Sequence, residues 1–143
     1  MQQETVLNKS VADKAIWLAA RQQQQPLASF QNDIVPSTRS FYDALSGTRT
    51  VFILECKKAS PSKGLIRVDY APATVACVYN DYASAISVLT DEKYFQASFA
   101  FLPIVISVVT QPVLCKDFII DPYLIYLARY HQADAILLML SVV

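Results

Sequence analysis

Val51-Phe52-Ile53-Leu54-Glu55-Cys56-Lys57-Lys58-Ala59-Ser60-Pro61-Ser62-Lys63-Gly64 runs from a short apolar segment directly into alternating charge and then into a Ser/Pro/Gly loop. This is the pattern of a buried strand that delivers polar side chains to an open rim. Side chains alternate across a strand, so Glu55 and Lys57 share one face with Ile53 below them, and Leu54 and Cys56 share the other. A carboxylate and an ammonium are thereby held two residues apart at the strand's C-terminal end, where parallel α/β architectures bind their ligands. Read alone, such a pair is most simply a solvated ion pair at a strand end. Its neighbours along the chain carry more information.

Downstream, residues 72–82 predict a helix, with Asp69 suiting its approach and Pro72 its first turn. Residues 85–90 predict a second strand that ends in the polar loop Asp91-Glu92-Lys93. A second helix is expected over 99–110, a third strand over 113–116 and a fourth over 134–141. Asp121 followed by Pro122 is an acidic cap with proline at the first helical position, which starts a helix running to about Tyr130. Strands and helices thus alternate in repeats of roughly 25 to 30 residues, the length that βαβ units need. The segment FAFLPIVISVV at 99–109 stands out because it has almost no polar stripe to show to water.

Upstream, residues 5–21 predict a helix with Val11, Ala15, Leu18 and Ala19 on one side and Lys9, Asp13, Lys14 and Arg21 largely elsewhere; Pro26 stops it. Residues 37–45 predict a second, short helix with Gly47 as a left-handed cap. We read one domain over 1–143, with an N-terminal helical extension at 1–48 and the strand–helix repeats at 49–143. Trp17 is read as a packing residue.

Composition narrows the function classes. With 54% apolar and 17% charged residues among 143, the chain has ample material for a core. Twelve basic and twelve acidic residues give no net charge, so there is no electrostatic footprint for nucleic acid or an anionic membrane surface. A small-molecule or protein partner is the better expectation. Residues 1–10 are polar and mixed, without the basic and apolar regions of a secretory signal. The longest apolar run, at 99–109, contains Pro103 and Ser107 and is too short to span a bilayer, so a cytoplasmic location is expected. Cys56, Cys77 and Cys115 are odd in number and lack metal-ligand spacing, which argues for buried, inert thiols rather than a disulfide framework or a zinc site.

Three stretches carry a resemblance. ECKKASPSKG at 55–64, ISVLTDEKYF at 86–95 and PVLCKDFIIDPYLIYLARYHQADAILLML at 112–140 resemble, in order, the indole-3-glycerol phosphate synthase family, most closely its enterobacterial form. The resemblance covers nearly the whole chain and implies a TIM (β/α)8-barrel. Such a barrel takes ~250 residues, so these residues would form a half barrel of four parallel strands with outer helices and an N-terminal helical extension. The implied activity is that of a carboxy-lyase of tryptophan biosynthesis. It converts 1-(o-carboxyphenylamino)-1-deoxyribulose 5-phosphate, a phosphorylated small molecule, to indole-3-glycerol phosphate, carbon dioxide and water, with no cofactor and no metal.

The resemblance also implies roles. Lys116 matches the general acid, Lys57 the lysine that meets the substrate's charged groups, and Glu55 the carboxylate that orients hydroxyls and lysines. Ser60 matches a substrate-contacting serine, and Lys63 sits in the mobile loop over the site. Phe95, Phe118, Leu137 and Met139 match positions around the aromatic half of the substrate, where core packing is the competing explanation. Val68, Ala97 and Leu124 stand where the family pattern has Asp, Gly and Gln, and Ala97 is expected to displace the loop bearing Phe95. The family's second carboxylate, its asparagine and its main phosphate loops belong to strands five to eight. These 143 residues alone are therefore expected to show little or no turnover. The alternative is a non-catalytic half barrel that self-associates as a homodimer through its open edges.

Overall fold

Thr5 accepts a hydrogen bond from the Asn8 backbone N–H at 3.2 Å and so caps the first helix, α1 (Val6–Gln24), in a computed structural model that describes residues 5–143. Residues 1–4 of the extension lie outside the described residues. The buried face of α1 is Ser10, Lys14 and Leu18, one turn apart each, while Ala15 and Ala19 are exposed. This corrects the expected apolar stripe. The surface beneath the helix is acidic, so a lysine faces inward and an alanine stripe faces out.

Past Pro26, two 3-10 turns (Leu27–Ser29 and Gln31–Asp33) flank Phe30, which is buried against Tyr123 and Tyr130 with ring centroids at 5.7 and 4.9 Å. Helix α2 (Phe41–Leu45) is shorter than predicted because Ser40, not an earlier serine, caps it by accepting from the Asp43 N–H at 3.1 Å. It ends at Ser46 in extended backbone, and the positive φ of Gly47 falls beyond the cap position.

The sheet contains β1 (Ile53–Cys56), β4 (Ala85–Leu89), β5 (Val113–Lys116) and β6 (Ala135–Ile136), all parallel, in the order β1-β4-β5-β6. A small antiparallel hairpin of β2 (Ala59–Ser60) and β3 (Gly64–Leu65) is folded from what the sequence presents as a loop; Gly64, at φ +61, allows its turn. Helices α3 (Pro72–Tyr79), α5 (Phe101–Ile106) and α6 (Pro122–Tyr130) follow the first, second and third strands of the sheet, and a one-turn helix α4 (Glu92–Phe95) precedes α5. Register puts Leu54, Ile86 and Val113 in one row and Cys56, Val88 and Cys115 in the next. Both rows join the buried core with Val75, Leu102, Val105, Leu124 and Leu127 of the helices. β4, with neighbours on both sides, is buried along its whole length.

Several boundaries differ from expectation. β6 holds only two residues; Leu137 adds one bond to the Cys115 carbonyl at 3.3 Å before the chain turns at Met139. Helix α5 has six residues, so the apolar run forms a short helix plus a segment that buries Val109, with Arg39 donating to the Ile106 carbonyl at 3.3 Å. Ala97 is not the strained position. The left-handed residue is Gln96, at φ 49, and Ala97 closes the turn by donating to the Asp91 carbonyl at 3.1 Å. Leu124 is fully buried, whereas Val68 is 80% exposed and adds nothing to the core. Cys56 and Cys115 are buried, with their thiol pKa values pushed up to about 12 chiefly by burial; Cys77, on α3, is exposed, contrary to expectation. Among the described residues no helix is long and apolar enough to cross a membrane.

Candidate active site

Parallel strands present their C-terminal ends on one rim, and here that rim carries three charges. The Glu55 carboxylate on β1 accepts from Lys116 Nζ on β5 at 2.7 Å and from Lys57 Nζ at 2.9 Å. Glu55 and Lys116 are separated by β4, and the contact works because β4 offers a serine there: register pairs Glu55 with Ser87, whose hydroxyl lies 3.5 Å from the same carboxylate oxygen. A large side chain at 87 would block the reach.

Burial of Glu55 acts to raise its pKa, but hydrogen bonds from Lys116 and then Lys57 outweigh it, and the carboxyl sits below the ordinary glutamate value. A depressed acid contributes stability above its unfolded pKa and loses it as pH falls through the folded one. The Glu55–Lys116 pair is therefore expected to persist to lower pH than an unpaired glutamate would stay ionised. A carbon-detected NMR titration of the Glu55 carboxyl should give a midpoint below about 4.3; a midpoint at or above it contradicts the pairing.

Beside Lys116 lies an apolar cavity of about 150 Å³ walled by Leu89, Phe95, Phe118, Leu137 and Met139. The Phe95 and Phe118 rings are 6.4 Å apart and tilted by 42°. Phe95 reaches the cavity from α4, a helix in place of the predicted polar loop, because Asp91 caps it by accepting from the Tyr94 N–H at 2.7 Å. Lys116, Phe95, Phe118, Leu137 and Met139 are thus brought together, with Glu55 and Lys57 next to them. Ser60 and Lys63 are not cavity residues: they sit on the β2–β3 hairpin, where the Lys63 N–H donates to the Ser60 hydroxyl at 3.2 Å and Lys63 is exposed.

Sequence reading missed one buried cluster. Lys14 Nζ of α1 lies 2.9 Å from Asp91 and 2.8 Å from Asp117, and all three side chains are almost fully buried. Asp117 also accepts from the Thr90 hydroxyl at 2.6 Å and from the Phe118 N–H at 2.7 Å. Burial draws the lysine toward neutrality, and the Asp117 and Asp91 charges overcome it, leaving its pKa above the ordinary lysine value. The available signal was positional: each aspartate lies within two residues of a strand's C-terminal end, Asp91 after β4 and Asp117 after β5. Partly exposed ties flank the cluster, from Trp17 Nε1 to Glu92 at 3.1 Å and from Asp13 to Lys93 at 2.8 Å and to the Tyr94 hydroxyl.

A larger cleft of about 440 Å³ separates α1 from α4. Its buried lysine and aspartate satisfy one another, and it is not lined by Glu55 or Lys116, so the smaller cavity is the better chemical candidate. Among the described residues no three His, Cys, Asp or Glu side chains are grouped to hold a metal.

Parallel strands in chain order, with helices following the first three of them, are the arrangement of part of a (β/α)8-barrel. The chain belongs to the family described as indole-3-glycerol phosphate synthase, which matches residues 7–143. It is 76% identical over 139 residues to the tryptophan biosynthesis protein TrpCF of Salmonella typhi, covering 97% of this chain and 31% of that protein. Against the TrpCF proteins of Yersinia pestis and Vibrio parahaemolyticus the identities are 70% and 66%, over 97% and 96% of this chain and 29% and 28% of theirs. The chain spans less than a third of the length of these curated relatives.

Proposed function

We propose that these residues supply the ring-binding and proton-donating part of an indole-3-glycerol phosphate synthase site in a cytoplasmic protein of tryptophan biosynthesis. The observation that carries the reading is the placement of Lys116, held by Glu55 at 2.7 Å and facing a cavity walled by Phe95 and Phe118. The substrate's aromatic half lies between those rings, against Leu137 and Met139. Its carboxylate-bearing ring carbon attacks the ketone carbon while Lys116 donates a proton to the ketone oxygen, which becomes a hydroxyl. The carboxylate leaves as carbon dioxide, its bonding electrons restoring the aromatic ring. The hydroxyl then takes up a proton from a general acid and leaves as water while a base removes the proton from the adjacent carbon beside the nitrogen, forming the C=C bond. Glu55 keeps both lysines in position, Lys57 meets an anionic group of the substrate, and Ser60 and Lys63 act from the hairpin at the rim. The base for dehydration and the phosphate cradle come from strands five to eight, outside these residues.

The test is to join this chain to the C-terminal remainder of the Salmonella relative and follow the indole product by fluorescence. The joined protein is expected to turn over and the 143-residue polypeptide alone to be silent. A folded joined protein without turnover, or equal rates from both, overturns the reading.

A second reading, self-association, is favoured by exposed apolar residues at the sheet's two edges, with Ile53 of β1 48% exposed and Leu138 and Leu140, just past β6, 53% and 93% exposed. Light scattering on the purified chain decides it: a discrete dimer supports association across these edges, and a stable monomer excludes it.

A further inference from the structure

We propose that Lys14 is a positioning residue that sets the separation of Phe95 and Phe118, and with it the fit of the substrate's aromatic half; the statement rests on the synthase reading above. Its ammonium bonds Asp117 of the cavity lining and, at the same time, Asp91 at the cap of the helix that carries Phe95. Asp91 is the N-cap of α4, whose last residue is Phe95, and Asp117 lies between Lys116 and Phe118 at the end of β5. Thr90 joins the two segments at their roots, its N–H donating to the Lys116 carbonyl at 3.2 Å and its hydroxyl to Asp117 at 2.6 Å, and Lys14 adds a buried tie that reaches the α4 cap itself. The neighbouring ties to Glu92, Lys93 and Tyr94 reach only the α4 side and are more exposed, so they cannot replace the bridge.

Lys116 has a separate support in Glu55, which reaches it across β4 at 2.7 Å. Releasing the Lys14 bridge should then loosen the ring's binding more than the proton donation. A loss of binding shared by ground state and transition state appears in KM, and a loss confined to the transition state appears in kcat. A purely structural lysine would instead lower the melting temperature and the folded fraction without moving KM.

The experiment uses the joined protein with Lys14→Arg, Lys14→Met and the charge-free triple variant Lys14→Met/Asp91→Asn/Asp117→Asn, which avoids stranding two buried carboxylates should Lys14→Met not fold. KM is expected to rise about tenfold in the folded methionine variants with kcat held within about threefold, and to return to within about threefold of the parent in Lys14→Arg. In crystals of the parent and the triple variant, the Phe95–Phe118 separation is expected to change from 6.4 Å. An unchanged KM together with an unchanged ring separation overturns the inference. If the parent itself does not turn over, the synthase reading fails, and the ring separation alone still decides the role of Lys14.

Discussion

Lys116→Ala in the joined protein is expected to lower kcat by roughly 10²–10⁴-fold, the range for removing a positioned general acid. The geometry argues for a proton donor rather than a binding charge. Lys116 borders the apolar cavity, while Lys57, the other partner of Glu55, lines a different cleft with Arg67 and Thr74. Lys116→Arg should restore little, because a guanidinium keeps its proton at any working pH. The loss should lie in kcat. A fall confined to KM, or rescue by arginine, would show that Lys116 serves as a binding cation.

Lys14→Met is expected to destabilise the fold by about 3–5 kcal/mol, since removing one partner of a buried ion pair leaves uncompensated charge, here two carboxylates. Almost complete burial of all three side chains places this pair beyond the discount that solvent applies to surface bridges. Changing Asp91 and Asp117 to asparagine in the same background should recover most of the loss, because the desolvation cost goes with the charges. Urea midpoints compared at equal slope measure both steps. A single substitution as mild as a surface change, or a triple variant no better than the single, contradicts the assignment.

The order of the four parallel strands and the helices between them was legible where local signals agreed with the fold: Asp121-Pro122 starts α6 where it should, and the alternation at 53–57 sends Glu55 and Lys57 to the rim and Cys56 to the core. Lys116 and the cavity residues came from resemblance rather than periodicity, and their convergence with Glu55 depends on a small Ser87 in the strand between. That is a tertiary fact, which no window of sequence contains. The face of α1 was misread for a related reason. Pattern reasoning assigns alanine inward and lysine outward, and only two aspartates brought from strand ends 26 residues apart reverse it. The fourth strand is likewise shorter than its apolar sequence suggests, because the point where pairing with β5 stops is set by the partner strand and not by residues 134–141 alone.

The most direct measurement is a crystal structure of the joined protein with an unreactive substrate analogue in which a hydroxyl replaces the ketone. The aromatic ring is predicted between Phe95 and Phe118, with Lys116 Nζ about 2.6–3.2 Å from that hydroxyl oxygen. An analogue bound with its ring outside this cavity, or with Lys57 rather than Lys116 at the hydroxyl, would contradict the division of labour proposed for the two lysines.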